Sequence, residues 1–288
     1  MQTAPVATGQ LLRHSGRAVS EYAQVGWAVV RIARFTTGDE PVYGVVGGKD
    51  GDEIVASVVG DPLYSGVELT GEQFAVADVR LLAPVIPRSK VVGIGRNYAA
   101  HAEELGNEVP VDPLVFLKPN TSVIGPFDPI VYPPQTSDLH FEGELAVVIA
   151  RICRDVPADR VREVIYGYTV ANDVTARDLQ KTDGQWARAK GFDSFCPLGP
   201  WIETDLDPAH LTLTTELNGE LRQQGDTNLM VHDVATILAY VSSFMTLLPG
   251  DVILTGTPEG VGPMQPGDDV SVTITGLGTL TNRVVSHD

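Results

Sequence analysis

The sequence predicts an α+β chain built around a mixed β-sheet roll or sandwich, and three observations carry that prediction. Short apolar runs dominate, among them Val29 to Phe35, Val42 to Val46, Ile54 to Val58 and Leu145 to Ala150. Glycine and proline turn signals punctuate them: Gly47-Gly48, Gly60-Asp61-Pro62 and Asn218-Gly219, the last a two-residue hairpin turn between alternating segments. Apolar residues at helical spacing are rarer, the clearest case being Val234, Ile237, Leu238, Val241 and Met245, read as a core-facing helix. Many short strands with few helices argue for a sheet-based chain.

In chain order, residues 1–26 are read as a flexible extension. They lack hydrophobic periodicity and hold no acid before Glu21, while carrying Arg13, His14 and Arg17. That composition also suits an organellar transit peptide, but the apolar content is thin for an amphipathic helix. Residues 27–84 form a small β-rich N-terminal unit. Pro84 and Pro87 break regular structure at its end, so residues 85–288 are the main domain. Here Gly93-Ile94-Gly95 follows Val91-Val92, but the third glycine of a dinucleotide turn is missing and no βαβ unit follows. A dinucleotide site is excluded.

The 37 acidic and 20 basic side chains give a formal net charge of −17, which argues against nucleic acid and against docking on anionic lipid. An anionic substrate then needs a local positive focus. Cys153 and Cys196 are the only cysteines; without C-x-x-C spacing they are read as buried small hydrophobes in a reducing compartment. No apolar run approaches the roughly 18 residues of a membrane span, and a cytoplasmic protein is expected.

The chemistry concentrates at His140-Phe141-Glu142-Gly143-Glu144, which runs into the apolar segment Leu145 to Ala150. On a strand Glu142 and Glu144 point the same way. Two like charges at the mouth of a buried strand are costly unless one is protonated or a cation sits between them. Asp173 ends another apolar segment, Tyr166 to Asn172, and offers a third oxygen. Such a site suits Mg²⁺ or Mn²⁺, with Ca²⁺ as a non-native occupant, and disfavours Zn²⁺. On spacing alone, two solvated carboxylates remain the commoner case.

Other candidates follow from spacing. His101 and Glu104 are three apart on an expected helix, where a carboxylate orients an imidazole. Arg177 and Gln180 share a face beginning at Asp173 and suit a substrate carboxylate, although Arg177 and Asp178 also suit a structural ion pair. Thr255-Gly256-Thr257 offers hydroxyl donors to a carboxylate. Lys118 is read as a strand-end charge rather than a substrate contact.

Four motifs in series, His140 to Ile149, Gly167 to Gln180, Asp183 to Gly191 and Leu247 to Gly262, resemble the fumarylacetoacetate hydrolase family from about Val85 to the C-terminus. The resemblance implies that family's β-roll catalytic domain, usually as a homodimer, with a divalent metal on Glu142, Glu144 and Asp173. It also implies a His101–Glu104 dyad that activates water, a catalytic Lys190, and substrate contacts from Arg96, Arg177, Gln180 and Thr257. Together with the helix bearing His101, the loop Gly106 to Asp112 resembles the family's lid, expected to order on ligand binding. Relatives often begin with a strand similar to Val30 to Phe35, which places the expected natural start near Val29 or Val30.

The implied substrate is a small anionic 2-oxo acid. The reaction expected first is acylpyruvate-type hydrolysis or 2-hydroxyhepta-2,4-diene-1,7-dioate isomerisation, followed by oxaloacetate decarboxylation. From another class, the sequence also fits a non-catalytic metal-dependent dicarboxylate-binding protein, though binding alone does not need His101, Glu104 and Lys190.

Overall fold

The computed structural model describes residues 30–49 and 51–287. The expected extension lies outside the described residues, and of the expected natural start near Val29 or Val30 only Val30 is described. What is described is mostly β-structure with few helices, in mixed sheets. The longest sheet path begins at Leu69–Ala75 and runs through Ile54–Val58, Val42–Gly47, Arg31–Thr36, Cys196–Glu203, Ile165–Asn172, Gly143–Ile149, Val252–Leu254, Val91–Gly95 and Leu114–Lys118. The N-terminal strands continue the main sheet, because Arg31–Thr36 pairs antiparallel with Cys196–Glu203. A second sheet contains Glu220–Asp226, Thr212–Leu217, Asp269–Ile274, Gly278–Ser286 and Ile130–Tyr132.

Strand Gly143–Ile149 is buried along its whole length. Successive side chains alternate faces, and both faces are covered. Leu145, Val147 and Ile149 join one core with Ile237, Leu238 and Val241 of helix Val234–Phe244 and with Leu213 and Val272 of the second sheet. Ala146 and Val148 join another with Ile32, Val45, Leu198 and Val252. Full burial of a Leu, Val or Ile side chain contributes roughly 1.5–3 kcal/mol. Several such residues offset the several kcal/mol per ion that charge burial costs, so this strand can carry acids at its N-terminal end.

Local signals explain the flanking elements. Asp233 caps the Val234–Phe244 helix by accepting from the Thr236 N–H. Asn218 and Gly219, at φ 55° and 78°, turn the hairpin between Thr212–Leu217 and Glu220–Asp226. The edge strand Leu69–Ala75 gives no such signal: it is exposed along almost all its length and exists because it pairs with Ile54–Val58. The segment after Asp173 begins with strand residues Thr175–Ala176, paired with Leu139–Phe141, before helix Arg177–Asp183, which carries Arg177 and Gln180. Among the described residues, no helix is long and apolar enough to cross a membrane.

Candidate active site

Glu142 sits in a break between strands Leu139–Phe141 and Gly143–Ile149, not within one continuous strand as expected. Its N–H donates to Asn172 Oδ1 at 2.9 Å, and its carbonyl accepts from the Asp173 N–H at 2.8 Å. Gly143 and Asn172 are register partners. Two chain breaks are thus tied together at the end of one strand pair, and Glu142, Glu144 and Asp173 offer oxygens within 4.8 Å of one another. Glycine is required between the acids, since a Cβ on Gly143 would lie 2.3 Å from Thr215 Oγ1.

Three buried cations surround the acids. Arg177 Nη2 donates to Glu142 Oε1 at 2.6 Å, Lys190 Nζ to Glu142 Oε2 at 2.8 Å and to Asp173 Oδ2 at 2.6 Å, and Lys118 Nζ to Asp173 Oδ1 at 2.5 Å. Lys118 is therefore no strand-end surface charge: it is 1% exposed. Arg177 pairs with Glu142 rather than with Asp178, which is held by Thr136 and Ser137. Glu144 differs from the other two acids. The partner of its carboxylate is the Gly256 N–H, at 2.6 Å, and among the described residues no cation pairs with it.

The electrostatics follow that division. Burial by itself raises Glu142, but the charges of Lys190 and Arg177 outweigh it and hold the carboxyl well below its ordinary range. Burial pushes Glu144 well above its ordinary value, and the negative Asp173 and Glu142 push it further. Burial lowers Lys190, yet Asp173 and Glu142 overcome this and hold the ammonium above its usual value.

A cavity of about 600 Å³ opens on this cluster, with Glu142, Lys190, His101, Arg177, Gln180 and Arg96 among its walls. His101 Nδ1 lies 3.3 Å from Glu104 Oε2, both on helix Ala99–Glu104, which leaves Nε2 as the nitrogen able to act on a ligand. Gln180 Oε1 accepts from Arg177 Nη1 at 2.7 Å, leaving its amide N–H groups to donate. Thr257 is not a wall of this cavity. Its hydroxyl donates to the Gly143 carbonyl at 2.8 Å and accepts from Gln223 Nε2 at 2.7 Å.

Sequence reading took Lys118 for a strand-end charge, and it expected hydroxyl donors from Thr255-Gly256-Thr257 where the turn at residues 256–260 uses backbone N–H groups as well. In that turn Gly256 reaches Glu144, Thr257 reaches Gly143, and the Gly260 N–H donates to Glu104 at 3.1 Å. Gln223 was missed: it is fully buried and accepts from the Gly143 N–H at 3.0 Å. Nothing in the alternating hairpin around Gln223 marks it.

The family model described as fumarylacetoacetate (FAA) hydrolase C-terminal matches residues 90–285. The chain belongs to the fumarylacetoacetate hydrolase family. A second model, described as Rv2993c-like, N-terminal, matches residues 30–84, in keeping with a family C-terminal domain preceded by a small β domain. Among solved structures, a 5-carboxymethyl-2-hydroxymuconate delta-isomerase from Mycobacterium smegmatis is 52% identical with a TM-score of 0.83, covering 89% of this chain and 99% of its own. The fumarylacetoacetate hydrolase relatives also include the oxaloacetate tautomerase YcgM of Escherichia coli, 47% identical over 206 residues, 69% of this chain and 94% of that protein. A fumarylpyruvate hydrolase from Pseudomonas aeruginosa, solved in complex with Mn²⁺ and pyruvate, is 36% identical with a TM-score of 0.67 and covers 71% of this chain and 91% of its own.

Proposed function

We propose that this protein is a divalent-metal-dependent enzyme that moves a proton within a 2-oxo dicarboxylic acid, as an oxaloacetate tautomerase or a dienol-diacid isomerase. The observation that carries the reading is the convergence of Glu142, Glu144 and Asp173 beside a cavity that also presents His101 and Lys190. The donor set fits a hard cation: every ligand is a carboxylate oxygen, and Glu144 is a buried acid with no cation of its own among the described residues. Glu142, Glu144 and Asp173 would hold Mg²⁺ or Mn²⁺, whose Lewis acidity toward the carboxylate and keto oxygens of a 2-oxo acid makes the neighbouring C–H more acidic.

The protein's own groups do the rest. Arg177 and Gln180 orient the substrate carboxylate from the cavity wall. His101, oriented by Glu104, takes the proton from the carbon next to the keto group, and the C–H electron pair becomes a carbon–carbon double bond. Lys190 is held protonated by Glu142 and Asp173 and has one N–H left to present to the oxygen that gains negative charge. The proton then returns to that oxygen in a tautomerase, or to a more distant carbon in an isomerase. No water is consumed and no carbon–carbon bond breaks.

A second reading, acylpyruvate-type hydrolysis with His101 activating water, is supported by the similarity to the fumarylpyruvate hydrolase. Proton NMR of the purified protein with Mg²⁺ or Mn²⁺ separates them. Oxaloacetate, a dienol diacid, fumarylpyruvate and an acylpyruvate are each followed with and without EDTA. EDTA-sensitive proton exchange or double-bond migration supports the proposal. EDTA-sensitive pyruvate plus a carboxylic acid supports the hydrolase, and pyruvate from oxaloacetate a decarboxylase. Metal-loaded protein that converts none overturns all three in favour of a binding protein.

A further inference from the structure

Between the N-terminal unit and the main sheet lies a cavity of about 170 Å³, and none of its walls is a wall of the cavity beside the acids. Buried Ile32, Val85, Val148 and Ile202 give it an apolar floor. Val148 lies four residues along its strand from Glu144 and on the same face, so roughly 13 Å separates their backbone positions. Helix Pro62–Ser65 forms the mouth. That helix is fastened to the main domain: the Tyr64 hydroxyl donates to the Pro249 carbonyl at 3.2 Å, and the Arg88 guanidinium stands 4.4 Å from the Tyr64 ring centroid. A cavity held on both sides in this way is preformed.

Its size and its polar walls narrow what it can hold. A cavity of about 150 Å³ takes one benzene ring, so this one fits a single ring with one small substituent. Its charged walls are Asp61 and Arg88: an anion would meet Asp61, a second cation would meet Arg88, and a neutral molecule avoids both penalties. The polar group that the ligand must supply is a donor. A carboxylate offers about four acceptor positions; Asp61 gives one to the Leu63 N–H at 3.0 Å and one to the Tyr43 hydroxyl, and keeps the rest. Tyr43 is itself pushed up to about 12, by burial first and by the charge of Asp61 next, so its hydroxyl stays protonated and keeps donating to Asp61. The geometry points to a second ligand site, in which a neutral single-ring phenol lays its ring on Val148 and Ile202 and donates its hydroxyl to Asp61. The site goes beyond the 2-oxo acid reading and does not rest on it.

Ligand-observed NMR titrations of the full chain with phenol, toluene, benzoate and benzylamine, in EDTA and again with Mg²⁺ plus pyruvate, test this. Phenol should bind more tightly than either charged ring, and equally in both conditions. Asp61→Asn keeps an oxygen for the Leu63 N–H but replaces the other acceptor by an N–H donor, so phenol affinity should fall about tenfold while toluene, which has no hydroxyl, keeps its affinity. Ile86→Trp changes a wall that is 53% exposed and narrows the cavity; it should weaken phenol and toluene alike. Circular dichroism verifies that both variants fold. Benzoate or benzylamine binding as tightly as phenol, phenol affinity unchanged in either variant, or no phenol binding at all overturns the site. Phenol displaced by Mg²⁺ and pyruvate would put it in the first cavity and overturn the site too. Protein inert in the metal-dependent assays above, with phenol still bound as expected, would instead remove the 2-oxo acid reading and leave this site standing.

Discussion

Gln223 is expected to matter to the metal site although it touches no acid. Its Oε1 accepts from the Gly143 N–H at 3.0 Å, and its Nε2 donates to Thr257 Oγ1 at 2.7 Å and to the Pro258 carbonyl at 2.9 Å. Thr257 in turn donates to the Gly143 carbonyl at 2.8 Å. Gly143, the residue between Glu142 and Glu144, is therefore pinned through both its N–H and its carbonyl. Gln223→Leu keeps the volume but leaves the Gly143 N–H and the Pro258 carbonyl without this partner. At about 1–3 kcal/mol for each buried group left unpaired, the loss is roughly 2–6 kcal/mol. A domain has only about 5–15 kcal/mol in all. Because Gly143 carries both flanking acids, Mn²⁺ affinity should fall about 10–100-fold as well. Urea unfolding in EDTA reads the first effect and Mn²⁺ titration of the folded protein the second. An unchanged urea midpoint would refute the packing argument, and full Mn²⁺ affinity in a destabilised variant would refute the link between the two.

His101→Ala should lower kcat for proton transfer about 10²–10⁴-fold with little change in KM; steady-state kinetics showing mainly a KM effect would remove His101 from the proton path. Lys118→Met should destabilise the protein by about 1–3 kcal/mol, because it leaves one oxygen of the buried Asp173 without its partner while Lys190 still pairs the other; a thermal melt like that of wild type would contradict this. Burial pushes Glu203 up to about 7 from its ordinary 4.5, against weak help from Arg31 at 3.7 Å. With the folded value raised, the folded protein binds this proton more tightly than the unfolded chain. Its contribution is fully present below about 4.5 and is lost as pH rises through about 7. Glu203→Gln should therefore gain stability relative to wild type between melts at pH 5 and pH 8; parallel pH profiles for the two would dismiss the assignment.

Much of this was legible because it was written in local pattern. The apolar run Leu145 to Ala150 and the run ending at Asn172 announce buried strands, and acids placed at the ends of such runs must converge once the strands pair. His101 and Glu104 meet because a helix brings positions three apart together. What was not legible depended on pairing between distant segments. Lys118 looks like any strand-end lysine until the sheet order brings it to Asp173, 55 residues away. Gln223 sits 80 residues from Gly143 in a hairpin whose alternating pattern says nothing of which polar side chain faces inward. Thr257 was expected as a substrate contact from its hydroxyl alone, and the pairing that sets its bonds to the Gly143 carbonyl and to Gln223 is again between distant segments. The edge strand Leu69–Ala75 has no buried face to leave a pattern.

Charge balance makes Glu144 the residue at which stability and function should part. Glu142 and Asp173 share Lys118, Arg177 and Lys190, so those two acids are more than neutralised before any metal arrives. Glu144 adds a third buried negative charge whose partner is a neutral backbone N–H, and burial together with its acidic neighbours already disfavours that charge. Glu144→Gln keeps an oxygen to accept from Gly256 and removes only the disfavoured charge. In EDTA the variant should be at least as stable as wild type. A divalent cation, by contrast, loses its one ligand that is not already shared with a lysine or arginine, and Mn²⁺ affinity should fall about a hundredfold, equivalent to roughly 2.7 kcal/mol. Urea unfolding in EDTA beside Mn²⁺ titration separates the two effects. A variant that is destabilised in EDTA yet binds Mn²⁺ normally would mean that Glu144 is a structural acid and that the cation sits elsewhere.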